Sequence, residues 1–138
     1  MASLRLLLVP AALGFAAACG YDNTTGSNSA PPPPTAQASD VNMPPGAQTS
    51  GFQPKIKNVA LNGGASVSIR WVNRDYSGSD YNATSVIHNI VSDNSAFASS
   101  GNMGGNATYT VSLNAAGDYN YHCTFHPTTM QGTIHVAP

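Results

Sequence analysis

The stretch Gly117-Asp118-Tyr119-Asn120-Tyr121-His122-Cys123-Thr124-Phe125-His126-Pro127-Thr128-Thr129-Met130 decides how this chain is read. Its first half alternates. On an extended strand Tyr119, Tyr121 and Cys123 share one face, and Asn120 and His122 point the other way. Its second half sets a histidine and a methionine close behind the cysteine, so one tight loop returns an imidazole and a thioether to the side of the thiol. Soft sulfur donors favour copper. Two imidazoles and a thiolate in a plane, with a weak axial methionine sulfur, are the donor set of a mononuclear type 1 (blue) copper centre. Cys123, His126 and Met130 supply three of the four donors, and the second imidazole has to come from elsewhere in the chain.

Outward from this stretch the pattern remains β. Val67, Ile69 and Trp71 alternate with Ser66, Ser68 and Arg70, a period of two. Val86-Ile87-His88-Asn89-Ile90-Val91 is a β-branched run bounded by polar clusters, and Tyr109 to Leu113 alternates before a turn at Asn114 to Asp118. Gly132 to Val136 closes the chain, and Asn62-Gly63-Gly64 and Met103-Gly104-Gly105-Asn106 punctuate the strands. Six or more short strands between Phe52 and Pro138, with no helical period, predict an all-β sandwich or barrel over 52–138. His88, on the β-branched run with an apolar flank on each side, is the best source of the missing imidazole. A domain this small is marginal on its core alone, and a bound metal adds stability.

The same residues carry a resemblance. Phe52-x-Pro54, Trp71-Val72-Asn73, His88-Asn89 and Gly117-x-Tyr119-x-Tyr121-x-Cys123-x-x-His126-Pro127 resemble the cupredoxins, close to the plastocyanin, amicyanin and pseudoazurin group, over the whole of 52–138. The resemblance implies a cupredoxin-type Greek-key β-sandwich or barrel and one copper ion held by His88, Cys123, His126 and Met130. It also implies that Asn89 ties the two ligand loops together by hydrogen bonds, supporting the ligands from behind. One spacing departs from that group. Plastocyanin-like chains place four residues between the second histidine and the methionine, and amicyanin-like chains two. This chain places three, as azurin-like chains do, but with the shorter Cys-x-x-His gap. Met130 is therefore read as the axial ligand, with Gln131 as the alternative at the four-residue spacing.

Two histidines remain. His122 beside Cys123 makes a His-Cys pair similar to that of copper nitrite reductases and multicopper oxidases, where the histidine binds a second copper. Those enzymes need more histidines and further domains, and only His135 is left here, so no second copper and no enzyme activity are expected. A second, bridging cysteine is also missing from 52–138, which excludes a binuclear bridged copper site.

The N-terminal segment has a different character. Met1 to Ala18 holds Arg5, an apolar run from Leu6 to Leu13, and small residues before Cys19, the pattern of an export signal over 1–18. Ala16-Ala17-Ala18-Cys19-Gly20 resembles the bacterial lipoprotein signal, which implies lipidation of Cys19. Cleavage by an ordinary signal peptidase at an Ala-x-Ala site is the competing reading. Residues 19–51, rich in Asn, Thr, Ser, Ala, Gln and Pro and including Pro31 to Pro34, are expected to form a disordered tether. The whole predicts an exported protein on the periplasmic side of a bacterial membrane, touching that membrane only through the lipid on Cys19.

Net charge is -1, with charged residues at 8% and no Glu, so neither a nucleic-acid footprint nor a strong acidic field is present. Over 52–138 Lys55, Lys57, Arg70 and Arg74 balance Asp75, Asp80, Asp93 and Asp118. A site closed by four protein ligands suits electron transfer by a monomeric shuttle. Redox partner proteins are expected to dock transiently near His126, where Phe125 and Pro127 supply apolar surface. A module for copper storage, delivery or sensing is the alternative function for the same ligands.

Overall fold

In chain order the elements are β1 (Asp40–Met43), α1 (Ala47–Ser50), β2 (Ile56–Ala60), β3 (Val67–Asn73), β4 (Tyr76–Ser77), β5 (Thr84–Ser85), β6 (Val91–Ser92), β7 (Thr108–Leu113), β8 (Gly117–His122) and β9 (Gln131–Ala137). This computed structural model describes residues 34, 35, 37, 40–77 and 84–138. The expected export signal, Cys19 and most of the expected tether lie outside those residues.

The strands form two main sheets and a small hairpin. One sheet has the order β1-β3-β7, the other β2-β9-β8-β6, and β4 pairs with β5. β1 runs parallel to β3 and β2 parallel to β9, while β3–β7, β8–β9 and β6–β8 are antiparallel. Both sheets turn their apolar alternates onto one shared core. Val41, Met43, Ile69, Trp71 and Leu113 come from the first sheet, and Tyr121, Ile134 and Val136 from the second. Trp71 meets Tyr121 edge-on with ring centroids 5.2 Å apart, so the central aromatic contact bridges the two sheets. The all-β sandwich expected from the alternation is the observed architecture.

The folded unit begins earlier than expected. Asp40–Met43 falls within the expected tether, yet it is the edge strand of the first sheet, paired with Arg70–Asn73. Val41, Met43 and Ala47 are fully buried. Arg70 locks the strand in place with a bidentate pair to Asp40, Nε to Oδ1 at 2.7 Å and an η nitrogen to Oδ2 at 2.8 Å. The boundary at Phe52 therefore moves back to Asp40. The physical reason is that four residues, two of them polar, bury both apolar side chains by pairing with a distant strand, which local composition does not show.

The run from Val86 to Val91 is also less regular than its β-branched residues suggest. Only Val91–Ser92 is a strand, and His88 makes an isolated bridge with Met103. Side chains take over from a ladder here. Asn73 Nδ2 donates to the carbonyls of Val86 and Met103, both at 2.8 Å, and Ser100 Oγ accepts from the Ile90 N–H at 2.9 Å. The segment is held by groups from elsewhere in the chain, Asn73, Asp75, Ser100 and Met103, and His88 sits in its middle.

Candidate metal centre

β8 ends at His122, and Cys123 is the next residue. The β8–β9 ladder runs to the pair His122–Gln131, so residues 123–130 form the loop at its end. Backbone bonds close that loop on itself. Cys123 N–H donates to Met130 O at 2.9 Å, Met130 N–H to His126 O at 2.9 Å and His126 N–H to Cys123 O at 3.2 Å. The tight return expected from Cys-x-x-His-Pro is present, and it sets His126 and Cys123 side by side.

Glycines permit close packing at two points around this loop. Gly132 lies under the ring of Tyr121, where any Cβ would overlap the phenol. Gly51 has φ +79° and faces the carbonyl of Thr129, which a Cβ would meet at 2.9 Å. Thr129 Oγ1 in turn donates to Gln48 O at 2.7 Å, so the α1 segment braces the loop from outside.

Three donor atoms converge. Cys123 Sγ lies 3.8 Å from His88 Nδ1 and 3.8 Å from His126 Nδ1, and the donor atoms of the three residues lie within 4.8 Å of one another. A point equidistant from all three is then roughly 2.2–2.5 Å from each, a range that includes metal–sulfur bonds and slightly exceeds metal–nitrogen bonds. His88 and Cys123 are fully buried and His126 is half-buried, with the two imidazole centroids 5.0 Å apart. His88 Nε2 bonds to Asp75 Oδ2 at 2.8 Å, which leaves Nδ1 and its lone pair for the site. The donor set fits one copper ion.

The electrostatics favour the ligating form of the thiol. Burial opposes its ionisation, but His88, the Asn89 N–H, His126 and the Phe125 N–H outweigh it, and the Cys123 pKa falls from 9.0 to about 6. Burial also opposes a charged His88, yet hydrogen bonds to Cys123 and Asp75 overcome it and raise the pKa above 6.5. The apoprotein thus holds a ready thiolate, the form that binds metal.

The other sequence-singled residues fall as follows. Asn89 spans the two ligand segments, its Oδ1 accepting from Thr124 N–H and its Nδ2 donating to Thr124 Oγ1, both at 2.8 Å. Met130 is fully buried, whereas Gln131 is exposed and donates its amide to Pro127 O at 2.8 Å. Phe125 is 49% exposed, and Pro127 is exposed as well. His122 pairs with Asp93 and His135 with Asp118, both at the partly exposed surface and neither in the donor cluster. Asp75 escaped the reading of the sequence as anything but one of four anions. It meets His88, thirteen positions on, because β4 pairs with β5 and brings the two segments together, and no local signal announces that.

The copper-binding family model of plastocyanin/azurin proteins matches residues 42–137. The fold is similar to that of a purple cupredoxin from Nitrosopumilus maritimus (21% identity, TM-score 0.56, 71% of this chain and 98% of that one). It is also similar to a mutant of amicyanin in its reduced Cu(I) form (21% identity, TM-score 0.55, 74% and 84%). A copper-containing nitrite reductase from Thermus scotoductus SA-01 shares the fold over 72% of this chain but only 22% of its own (21% identity, TM-score 0.54). No curated protein matches the chain. The match over 42–137 places the chain in the plastocyanin/azurin family of copper-binding proteins, and its fold is that of a cupredoxin.

Proposed function

We propose that the protein is an electron carrier with a single type 1 copper centre. The observation that carries this reading is the buried convergence of Cys123 Sγ with the Nδ1 atoms of His88 and His126. Bound copper supplies a one-electron Cu(II)/Cu(I) couple. The chain supplies a donor set intermediate between the preferences of the two oxidation states, so little has to move when an electron arrives or leaves. Met130 is the axial ligand in this reading. Its burial within the closed loop supports the assignment, and the outward amide of Gln131 weighs against the alternative.

His126 is the electron's route in and out. His126 is half-buried and its chain neighbours Phe125 and Pro127 are exposed, which supplies apolar surface suited to brief encounters with redox proteins. The near balance of charge over the domain gives such partners little long-range steering. Full burial of His88 and Cys123 keeps substrates from the metal, which argues for a carrier over an enzyme. Export to the periplasmic side of a bacterial membrane and anchoring through a lipid on Cys19 complete the proposal, and they rest on the N-terminal sequence.

Cyclic voltammetry of the copper-loaded protein tests the carrier role. A reversible one-electron wave, with copper retained over repeated cycles, is expected. Loss of copper on reduction would instead indicate storage or delivery.

A further inference from the structure

Asp75 is 3% exposed, and all of its carboxylate bonds come from N–H donors. Oδ1 accepts from Gly46 N–H at 2.7 Å, and Oδ2 accepts from Ala47 N–H at 3.1 Å and from His88 Nε2 at 2.8 Å. Its own N–H donates to Asn73 Oδ1 at 2.8 Å, which fixes the backbone beneath it. Only an acceptor-only group satisfies three N–H donors at once; a carboxamide brings an NH₂ against at least one of them. The site is thus built for a buried anion, and that anion is aimed at the far nitrogen of one copper-binding imidazole. Among the described residues no carboxylate bonds to His126. The two imidazoles are therefore unequal: one is held and enriched in electron density by a carboxylate, the other is half-buried near the surface.

We infer that Asp75 is the positioning residue of the copper centre, orienting His88 and holding the reduction potential low. The inference rests on the copper-carrier reading above. A carboxylate hydrogen-bonded behind a ligating histidine fixes its tautomer and ring orientation and raises its basicity as a ligand. A more basic imidazole stabilises Cu(II) more than Cu(I), because the ion of higher charge gains more from the added electron density. The Gly46–Ala47 donors place the anion, so the α1 segment, which also braces the ligand loop at Thr129, takes part in tuning the site.

The test compares the native protein with Asp75→Asn and Asp93→Asn by voltammetry of the copper-loaded forms. Asp93 also bonds a histidine, His122, but lies at the surface away from the donors, so its variant controls for loss of one negative charge. For Asp75→Asn the Cu(II)-to-Cu(I) affinity ratio is expected to fall about tenfold, a potential rise of about 59 mV for one electron. Asp93→Asn is expected to stay within twofold of native. An Asp75→Asn shift below twofold, a shift downward, or an equal shift in both variants would overturn the inference. A second measurement needs no variant. In the native Cu(I) protein, NMR should show the Nε2 proton of His88 shifted downfield and exchanging far more slowly than that of His126; equal exchange overturns the inference. A native protein that binds no copper overturns the carrier reading beneath it, whereas a native wave with an unmoved Asp75→Asn wave overturns this inference alone.

Discussion

At the scale of single residues, Cys123 shows how a fold prepares a metal ligand before the metal arrives. In the folded chain its pKa of about 6 lies well below the ordinary 9.0, so from about pH 6 to 9 the folded form is a thiolate while the unfolded form is a thiol. Unfolding takes up a proton there. This contribution to stability rises across that window and is lost as pH falls through about 6. His88 works in the opposite sense. Its raised pKa keeps a proton that the unfolded ring releases above 6.5, so its contribution fades as pH rises. The thiolate is the clean observable. In the metal-free protein its ultraviolet absorbance is expected at pH 7 and should disappear on acidification through about 6; a transition near 9 would contradict the site electrostatics. Gly132 is a second residue-scale test. Gly132→Ala drives a methyl into the buried Tyr121 ring and should cost about 1–3 kcal/mol in urea denaturation, the usual range for overpacking.

At the scale of elements, what was legible in the sequence and what was not divide along one line. β3, β7, β8 and β9 announce themselves by a period of two, because each has an antiparallel neighbour and turns one face onto the core. The ligand loop was legible for a related reason: Cys123, His126 and Met130 lie close together in sequence, so spacing describes the loop, while His88 had to be sought on a distant β-branched run. β1 and α1 were not legible. Their burial depends on pairing with β3 and on bonds to Asp75 and Thr129, none of which leaves a local pattern. The Val86–Val91 run resembles a full strand because β-branched residues favour extended backbone, yet Asn73 and Ser100 satisfy its polar groups where a ladder would otherwise run. The role of β1 can be measured. Met43→Ala empties a fully buried position in an edge strand and should destabilise the domain by about 2–5 kcal/mol. A change near zero would return Asp40–Met43 to the tether.

At the scale of the whole molecule, two sheets of short strands enclose a modest core, and Cys123 of the donor cluster is part of that core. The three donors come from two distant parts of the chain, so an ion bound there crosslinks segments that separate on unfolding. A ligand that binds only the folded state stabilises by mass action, about 4 kcal/mol at a free concentration 1,000 times the dissociation constant. Copper is accordingly expected to raise the thermal midpoint by several degrees or more, and calorimetry with and without a chelator reads this directly. The central claim, that His88, Cys123 and His126 together hold one copper ion with the thiolate bound to it, has a more direct test. Titrating the purified protein with Cu(II) should develop an intense visible thiolate-to-copper band that saturates at one equivalent and is absent from Cys123→Ser. A native protein that stays colourless, or a band that survives Cys123→Ser, would contradict it.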